Sequence, residues 1–249
     1  EEIRKGRFLI ISVMPYLVLS VVAVCVMILL AALTLVGIWR ASQVVPDFYA
    51  EALRSAPEAQ RIASETMLQK TAALASDVRK QGHWKALFTE EEINGWLAVD
   101  LRANHAESLP PGVVDPRVVI SPGGLQMACR SKQAGIETVL SMALDVYLAE
   151  PNVLGIRIRG VRAGAIPLPM KDVLETISEI GRQMSLKIQW QQADGEPVAL
   201  IHLRPTIGEG KPVVIETLEL GEREIYLAGT TSEAESASRR RAADLPGSR

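Results

Sequence analysis

The pattern of hydrophobic and polar positions divides the chain into segments of different character. One long stretch is apolar throughout, the next follows a loosely helical period, and the apolar positions after Val113 mostly alternate with a period of two. This order predicts an α+β fold with one N-terminal transmembrane helix, a helical stalk and an antiparallel β-sheet packed with helices on one face. The predicted boundaries are a short N-terminal flank (1–7), a transmembrane helix (8–39), a helical juxtamembrane stalk (40–82), an α+β extracytoplasmic domain (83–230) and a disordered tail (231–249).

The apolar stretch is long enough to cross a bilayer. Its 32 residues, Phe8 to Trp39, contain no charge and exceed the ~20 that a helix needs to span the hydrocarbon core. The alternative, a cleaved signal peptide, normally has an apolar region of only ~7–15 residues. We therefore expect a retained, single-pass anchor in the cell membrane, with the lipid bilayer as its partner.

The basic residues around this span indicate its orientation. Arg4, Lys5 and Arg7 precede it, whereas only Arg40 and Arg54 follow within about fifteen residues. Because positive charge accumulates on the cytoplasmic side, we expect a cytoplasmic N-terminus and a C-terminal domain outside the cytoplasm.

The segment after the span is rich in helix-forming residues. Alanine, glutamate, glutamine, leucine and arginine dominate residues 46–82, and Pro57 is suited to the first turn of a helix. The apolar positions form a narrow stripe of Ile62, Leu68, Ala72, Ala75 and Val78. Such a stripe is typical of packing on the protein's own domain or on a partner helix, and a juxtamembrane stalk is a further interpretation.

A short helix with a clear start signal follows. Thr89 and Glu92 have the spacing of a capping box, in which each side chain bonds the other residue's backbone N–H. Glu90 and Glu91 fit the positive end of the helix dipole. Three consecutive glutamates point in different directions on a helix, so we interpret them as capping rather than as a metal site.

From Val113 onward the chain predicts about six to eight strands. The longest are residues 138–149 and 152–162, which are joined by a turn at Glu150-Pro151-Asn152. A helix over 170–186 interrupts the strands, and a turn with glycine and two prolines precedes it.

The two long strands present more apolar surface than one short helix covers. Either the helices bury this face completely and form an ordinary core, or a concave apolar cleft remains, which is the usual character of a small-molecule site. Beside a membrane the natural occupant is a lipid or acyl chain, since each buried methylene contributes about 0.8 kcal/mol. The predicted ligand-binding residues are Leu140, Leu144, Leu154 and Ile156 as the floor, with Val173, Leu174 and Ile177 as the wall.

Composition and motifs give no sign of catalysis. A net charge of −2 and 4% aromatic residues argue against a nucleic-acid partner. Cys25 and Cys129 are too few for a disulfide framework or a zinc site. The three histidines, His83, His105 and His202, lie far apart without metal-binding spacing. We therefore predict no catalytic residue, no metal and no cofactor, and a protein that is not an enzyme.

The order of these features resembles the YpmS-like family of bacterial single-pass membrane proteins, whose function is unassigned. The matching segments are Phe88-Thr89 through Ile93-Asn94, Leu148 to Asn152, and Ala163 to Pro169. The resemblance covers about residues 86–205. It implies no catalytic residues, and it implies an extracytoplasmic fold similar to lipid-binding domains, in which a curved sheet holds a helix.

Two functions remain open at this point. The protein is either a membrane-tethered module that binds a lipid or other hydrophobic ligand, or a structural subunit that docks with other membrane-complex subunits. The amphipathic strands favour the first, and the alanine-rich helix with the over-long span favours the second.

Overall fold

The computed structural model describes residues 25–133, 135–183, 186–203, 206–207 and 211–232. The predicted N-terminal flank, the first half of the predicted span and nearly all of the predicted tail lie outside these residues. The first residue assigned to the tail, Thr231, is instead the last residue of a strand.

Six α-helices are described, and the first is the apolar one. α1 (Cys25–Ser42) is long and apolar enough to cross a membrane, a property that it shares with signal sequences, and none of its residues is buried. The others are α2 (Asp47–Ala52), α3 (Pro57–Arg79), α4 (Glu90–Ala98), α5 (Asp100–Asn104) and α6 (Met170–Gln183).

The strands form two antiparallel sheets. The seven-stranded sheet has the order β2–β3–β4–β5–β8–β7 with β6 beside β5, and the four-stranded sheet has the order β1–β11–β10–β9. The strands are β1 (Gly82–Thr89), β2 (Val113–Ser121), β3 (Gly124–Gln133), β4 (Ile136–Glu150), β5 (Val153–Ala163), β6 (Ile166–Pro167), β7 (Ile188–Ala193), β8 (Glu196–His202), β9 (Thr206–Ile207), β10 (Lys211–Leu220) and β11 (Glu224–Thr231). The predicted α+β class with antiparallel strands is confirmed.

The division into two sheets is not visible in the hydrophobic pattern. The seven-stranded sheet has the expected size, and the four-stranded sheet comes in addition. Its first strand, β1, is not predicted from the sequence. The apolar Leu87 occupies an exposed position next to the buried Phe88, so the residue types do not alternate between apolar and polar although the burial does. Only the pairing of β1 with the distant β11 shows it to be a strand.

The segment assigned to the stalk lies against the α+β domain. Leu74 and Val78 of α3 pack on Trp84 and Val213 of the four-stranded sheet. In the N-terminal half of α3 the backbone approaches α4 so closely that a Cβ on Gly95 would lie 2.7 Å from the backbone nitrogen of Ser64. Helix α3 therefore packs on its own domain.

The start of α4 has the predicted capping box. Thr89 Oγ1 accepts from the backbone N–H of Glu92, and a Glu92 carboxylate oxygen accepts from the backbone N–H of Thr89. The other Glu92 oxygen lies 2.7 Å from Lys70 Nζ of α3. The prediction of a capping box is confirmed.

The same helix covers the free edge of β2. Asn94 donates to the carbonyl of Val118 (2.7 Å) and accepts from its N–H (2.9 Å), and Glu90 accepts from the N–H of Ile120 (2.8 Å). These side chains replace a neighbouring strand, because they satisfy backbone groups that an edge strand leaves unpaired.

A single asparagine joins the two sheets at another point. Asn152, in the β4–β5 turn, has a left-handed backbone with φ of 62°. Its side chain donates to the carbonyl of Val213 (2.9 Å) and accepts from the N–H of Ile215 (2.7 Å) in β10. The turn that the sequence predicts thus also fixes β10 beside β4.

Candidate functional site

The candidate site is the side of the seven-stranded sheet that α6 covers, called the α6 face below. Residues directly opposite each other in paired strands share a face, and alternate residues along one strand do the same. The α6 face of the three central strands consists of Leu125, Met127 and Cys129 in β3, Leu140, Met142, Leu144, Val146 and Leu148 in β4, and Leu154, Ile156, Ile158 and Val161 in β5.

The centre of the α6 face is a filled core. Leu144 is 9% exposed and Ile158 is 2% exposed, and with Val161 they form one buried cluster. Five of the seven predicted site residues belong to this cluster or pack against it: Leu144, Ile156, Val173, Leu174 and Ile177. The predicted helix wall therefore lies on the predicted sheet floor.

Leu140 and Leu154 are not brought into that cluster. By strand register they lie on the α6 face, and both are half-buried. Met127, next to Met142 on the same face, is 37% exposed. Helix α6 thus covers the middle of the face and leaves apolar surface on either side.

The cluster residues that lie outside the predicted site include Val161 and Trp190, and a bulge explains the position of Val161. Ala143 pairs with Gly160 and Leu144 pairs with Ile158, so Arg159 is an extra residue in β5. Strict alternation places Val161 on the opposite side from Ile158, whereas the bulge returns it to the α6 face. Trp190 lies in β7, and its indole N–H donates to Ser178 Oγ of α6 at 2.9 Å.

The turn before α6 is also the attachment point of α1. Gly164 has a φ of 60°, and a Cβ there would lie 2.5 Å from the carbonyl oxygen of Ala41. The N–H of Ala165 donates to that same oxygen (2.8 Å), and Thr138 Oγ1 donates to the carbonyl of Ser42 (2.6 Å). Carbonyls at the C-terminal end of a helix lack partners within it, so the domain supplies the cap of α1.

A cavity of about 400 Å³, called the junction cavity below, lies at this attachment point, and by register most of its strand residues are on the side of the sheet opposite the α6 face. The lining includes Val44 and Pro46 from the segment between α1 and α2 and Phe48 from α2. The strands contribute Gln126, Ser141, Met142, Ala143, Arg159, Gly160 and Arg162, with Gly164 and Ala165 from the turn.

A second cavity, of about 460 Å³, lies between α2, α3, α4 and β2. Arg117, which is 5% exposed, lines it, and burial lowers the pKa of this guanidinium from its ordinary value. Burial opposes ionisation of Glu91, but hydrogen bonds from its own backbone and from Arg223 lower its pKa. Positive and negative side chains are equally numerous in the lining, so it favours neither an anionic nor a cationic ligand. They are Arg54, Arg117, Arg223, Glu51, Glu90 and Glu91.

The groups that most often carry catalysis are dispersed. His83 lies on β1, His105 stacks near Trp96, and His202 contacts Gln189 in the neighbouring strand. Burial raises the pKa of Cys129, which keeps the thiol protonated. Within the described part of the chain, no group of three or more histidine, cysteine, aspartate or glutamate side chains is placed to hold a metal.

Comparisons with protein-family models, with curated proteins and with solved structures gave no match. The resemblance to the YpmS-like family therefore stays a prediction.

Proposed function

We propose that this is a membrane-anchored, non-enzymatic protein whose α+β domain binds a lipid or another hydrophobic ligand on the α6 face. α1 is the retained transmembrane anchor, the N-terminus is cytoplasmic, and the domain lies outside the cytoplasm. Digestion of the domain by protease added to intact spheroplasts supports this orientation, and its protection contradicts it.

The observation that carries the proposal is the incomplete cover of the α6 face. Its centre is closed by α6, while Leu140, Leu154 and Met127 remain partly exposed around it. Met127 and Leu140 lie near each other on neighbouring strands, since Leu140 is opposite Cys129 and Met127 is opposite Met142. Apolar side chains that stay partly exposed next to each other are typical of a surface that a ligand or a partner covers. The chain enters α6 only five residues after Ala165, which touches the end of α1, so a bilayer lipid has a short path to this face.

Two tryptophan substitutions separate ligand surface from core. Leu140→Trp fills the uncovered flank, so we expect co-purifying lipid to decrease strongly with little change in melting temperature. Leu144→Trp is the matched control in the filled centre, where overpacking costs about 1–3 kcal/mol and lowers the melting temperature. The measurements are mass spectrometry of extracted lipid and thermal unfolding in detergent. Wild-type protein without lipid, or Leu140→Trp protein with undiminished lipid, contradicts the proposal.

The second candidate is a structural or assembly subunit of a membrane complex. The observation that favours it is apolar surface away from the α6 face: Ile62 is 53% exposed and Leu68 is 44% exposed on α3, and α1 is exposed as far as Arg40. Native mass spectrometry after gentle solubilisation distinguishes the two functions, because a partner subunit adds the mass of a protein and Ile62→Ser should release it.

A further inference from the structure

The junction cavity lies where a membrane anchor leaves the bilayer. Its lining includes Val44 and Pro46, which directly follow α1, and Gly164 and Ala165, which hold the last carbonyls of α1. Trp39, in the final turns of α1, is 61% exposed, and tryptophan is typical of the headgroup level of a membrane. If α1 spans the membrane, as proposed above, the cavity is at the depth of the lipid headgroups.

The charge of the lining is of one sign. Two arginines, Arg159 and Arg162, line the cavity, and no aspartate or glutamate among the described residues does. Arg159 forms a two-pronged ion pair with Asp145, with distances of 2.6 to 3.0 Å. Arg162 has no ion pair with any carboxylate in the described part of the chain, and it lies directly opposite Ser141, which also lines the cavity.

The remaining lining includes apolar residues from the part of the chain that follows the anchor. Val44 and Pro46 lie between α1 and α2, and Phe48 lies in α2. A lining that combines a cation with apolar carbon matches the phosphate and the glycerol–acyl region of a phospholipid.

We propose that the junction cavity binds the headgroup phosphate of an anionic phospholipid from the bilayer that holds α1. The planar guanidinium of Arg162 donates to the phosphate oxygens, for which arginine is well suited, and Ser141 offers a hydroxyl donor beside it. Val44, Pro46 and Phe48 contact the first carbons of the lipid. This site is separate from the α6 face, which is on the other side of the sheet, and it rests on the proposed membrane anchorage.

The test uses the full chain in nanodiscs that contain equal amounts of phosphatidylglycerol and phosphatidylcholine. After transfer to detergent, native mass spectrometry measures how much of each lipid stays bound. We expect wild-type protein to retain phosphatidylglycerol preferentially, and Arg162→Gln to reduce that preference about tenfold, as for loss of a charge-assisted hydrogen bond. Arg79→Gln, an equal change of charge on an exposed residue outside both cavities, should leave the preference unchanged.

A second variant distinguishes loss of lipid binding from misfolding. Ser141→Asp places a carboxylate opposite Arg162 and should remove the preference for phosphatidylglycerol while the melting temperature stays near that of the wild type. Equal lipid ratios in wild type, Arg162→Gln and Arg79→Gln overturn the proposal.

Two further measurements show which part of the proposal is wrong if the expected lipid preference is not found. Competition by inorganic phosphate at millimolar concentration shows a site for soluble anions and overturns the lipid assignment. Extraction of the wild-type protein from membranes by alkaline carbonate shows that the anchor itself is wrong. The lipid content of the Leu140→Trp protein tests binding on the α6 face alone. The proposals for the α6 face and for the junction cavity can therefore be contradicted independently.

Discussion

Single polar side chains connect secondary-structure elements where no strand pairing does. The capping box of α4 can be predicted from the sequence, because Thr89 and Glu92 are three residues apart and their bonds are local. The bonds of Glu90 and Asn94 to β2 cannot, since they join residues 24 to 30 positions apart that only the finished fold brings together. Helix α4 is thus connected to β2 by contacts that the local sequence does not reveal.

Removing the Asn152 side chain should weaken the link between the sheets. Asn152→Ala loses two hydrogen bonds to β10 and leaves their backbone partners unsatisfied, which we expect to cost about 2–3 kcal/mol. The melting temperature should fall by roughly 4–12 °C for a chain of this size. Asp194→Ala is the control, because Asp194 also has a left-handed backbone but lies in an exposed turn. Equal effects of the two substitutions contradict a bridging role.

The half-buried ion pair between Asp115 and Arg130 makes stability depend on pH. Burial opposes ionisation of Asp115, but the hydrogen bond and charge of Arg130, with the charge of Arg117, lower its pKa. A carboxyl whose pKa is lower in the folded state stabilises the protein at any pH above its unfolded-state pKa of about 4. This stabilisation is lost as the pH falls through the lower pKa of the folded state.

Asp115→Asn should therefore lower the melting temperature at neutral pH, and its difference from wild type should shrink as the pH falls below about 4. Asparagine tolerates the φ of 51° at this position, so the substitution removes the charge without backbone strain. Thermal unfolding between neutral and acid pH measures the effect, with the exposed Glu175→Gln as control. A difference that is constant with pH argues against the ion pair.

At the scale of elements, long amphipathic segments are predictable and their partners are not. β4, β5 and α6 lie close to the predicted 138–149, 152–162 and 170–186, because each has enough apolar positions to show its period. The bulge at Arg159 and the pairing of β1 with β11 depend on neighbouring strands. Leu140 and Leu154 stay partly exposed because α6 lies over the middle of the face. The position of α6 cannot be deduced from periodicity alone.

The attachment of α1 to the domain depends on Gly164. A side chain here collides with the carbonyls of Ala41 and Ser42, so Gly164→Ala should release the last turn of α1. Loss of about 1.4 kcal/mol of local stability corresponds to about tenfold faster tryptic cleavage after Arg40, measured by mass spectrometry in detergent.

Gly195→Ala is the matched control for this effect. Gly195 also has a positive φ, of 81°, but a Cβ added there would have no atom within 4 Å. The substitution should leave cleavage after Arg40 unchanged, and equal cleavage rates in the two variants contradict the docking of α1 on the turn.

At the scale of the whole molecule, three features meet at one end of the seven-stranded sheet. The end of α1, the turn that leads into α6 and the junction cavity all share Gly164 and Ala165. If α1 is a membrane anchor, as we propose, an anchor that ends here would hold the domain at the bilayer surface. In that proposal the α6 face would contact acyl chains, and the arginine-lined cavity would contact headgroups.

The most direct test of lipid binding on the α6 face is photo-crosslinking in the native membrane. A photoactivatable amino acid at Leu140 should form adducts with the mass of an acyl lipid, because this flank is left open by α6. The same amino acid at Leu87, which is 41% exposed on the four-stranded sheet, is the control and should give few such adducts. Lipid adducts at position 140 that greatly exceed those at position 87 are the predicted result. Equal lipid adducts at both positions, or protein adducts alone at position 140, contradict the proposed function.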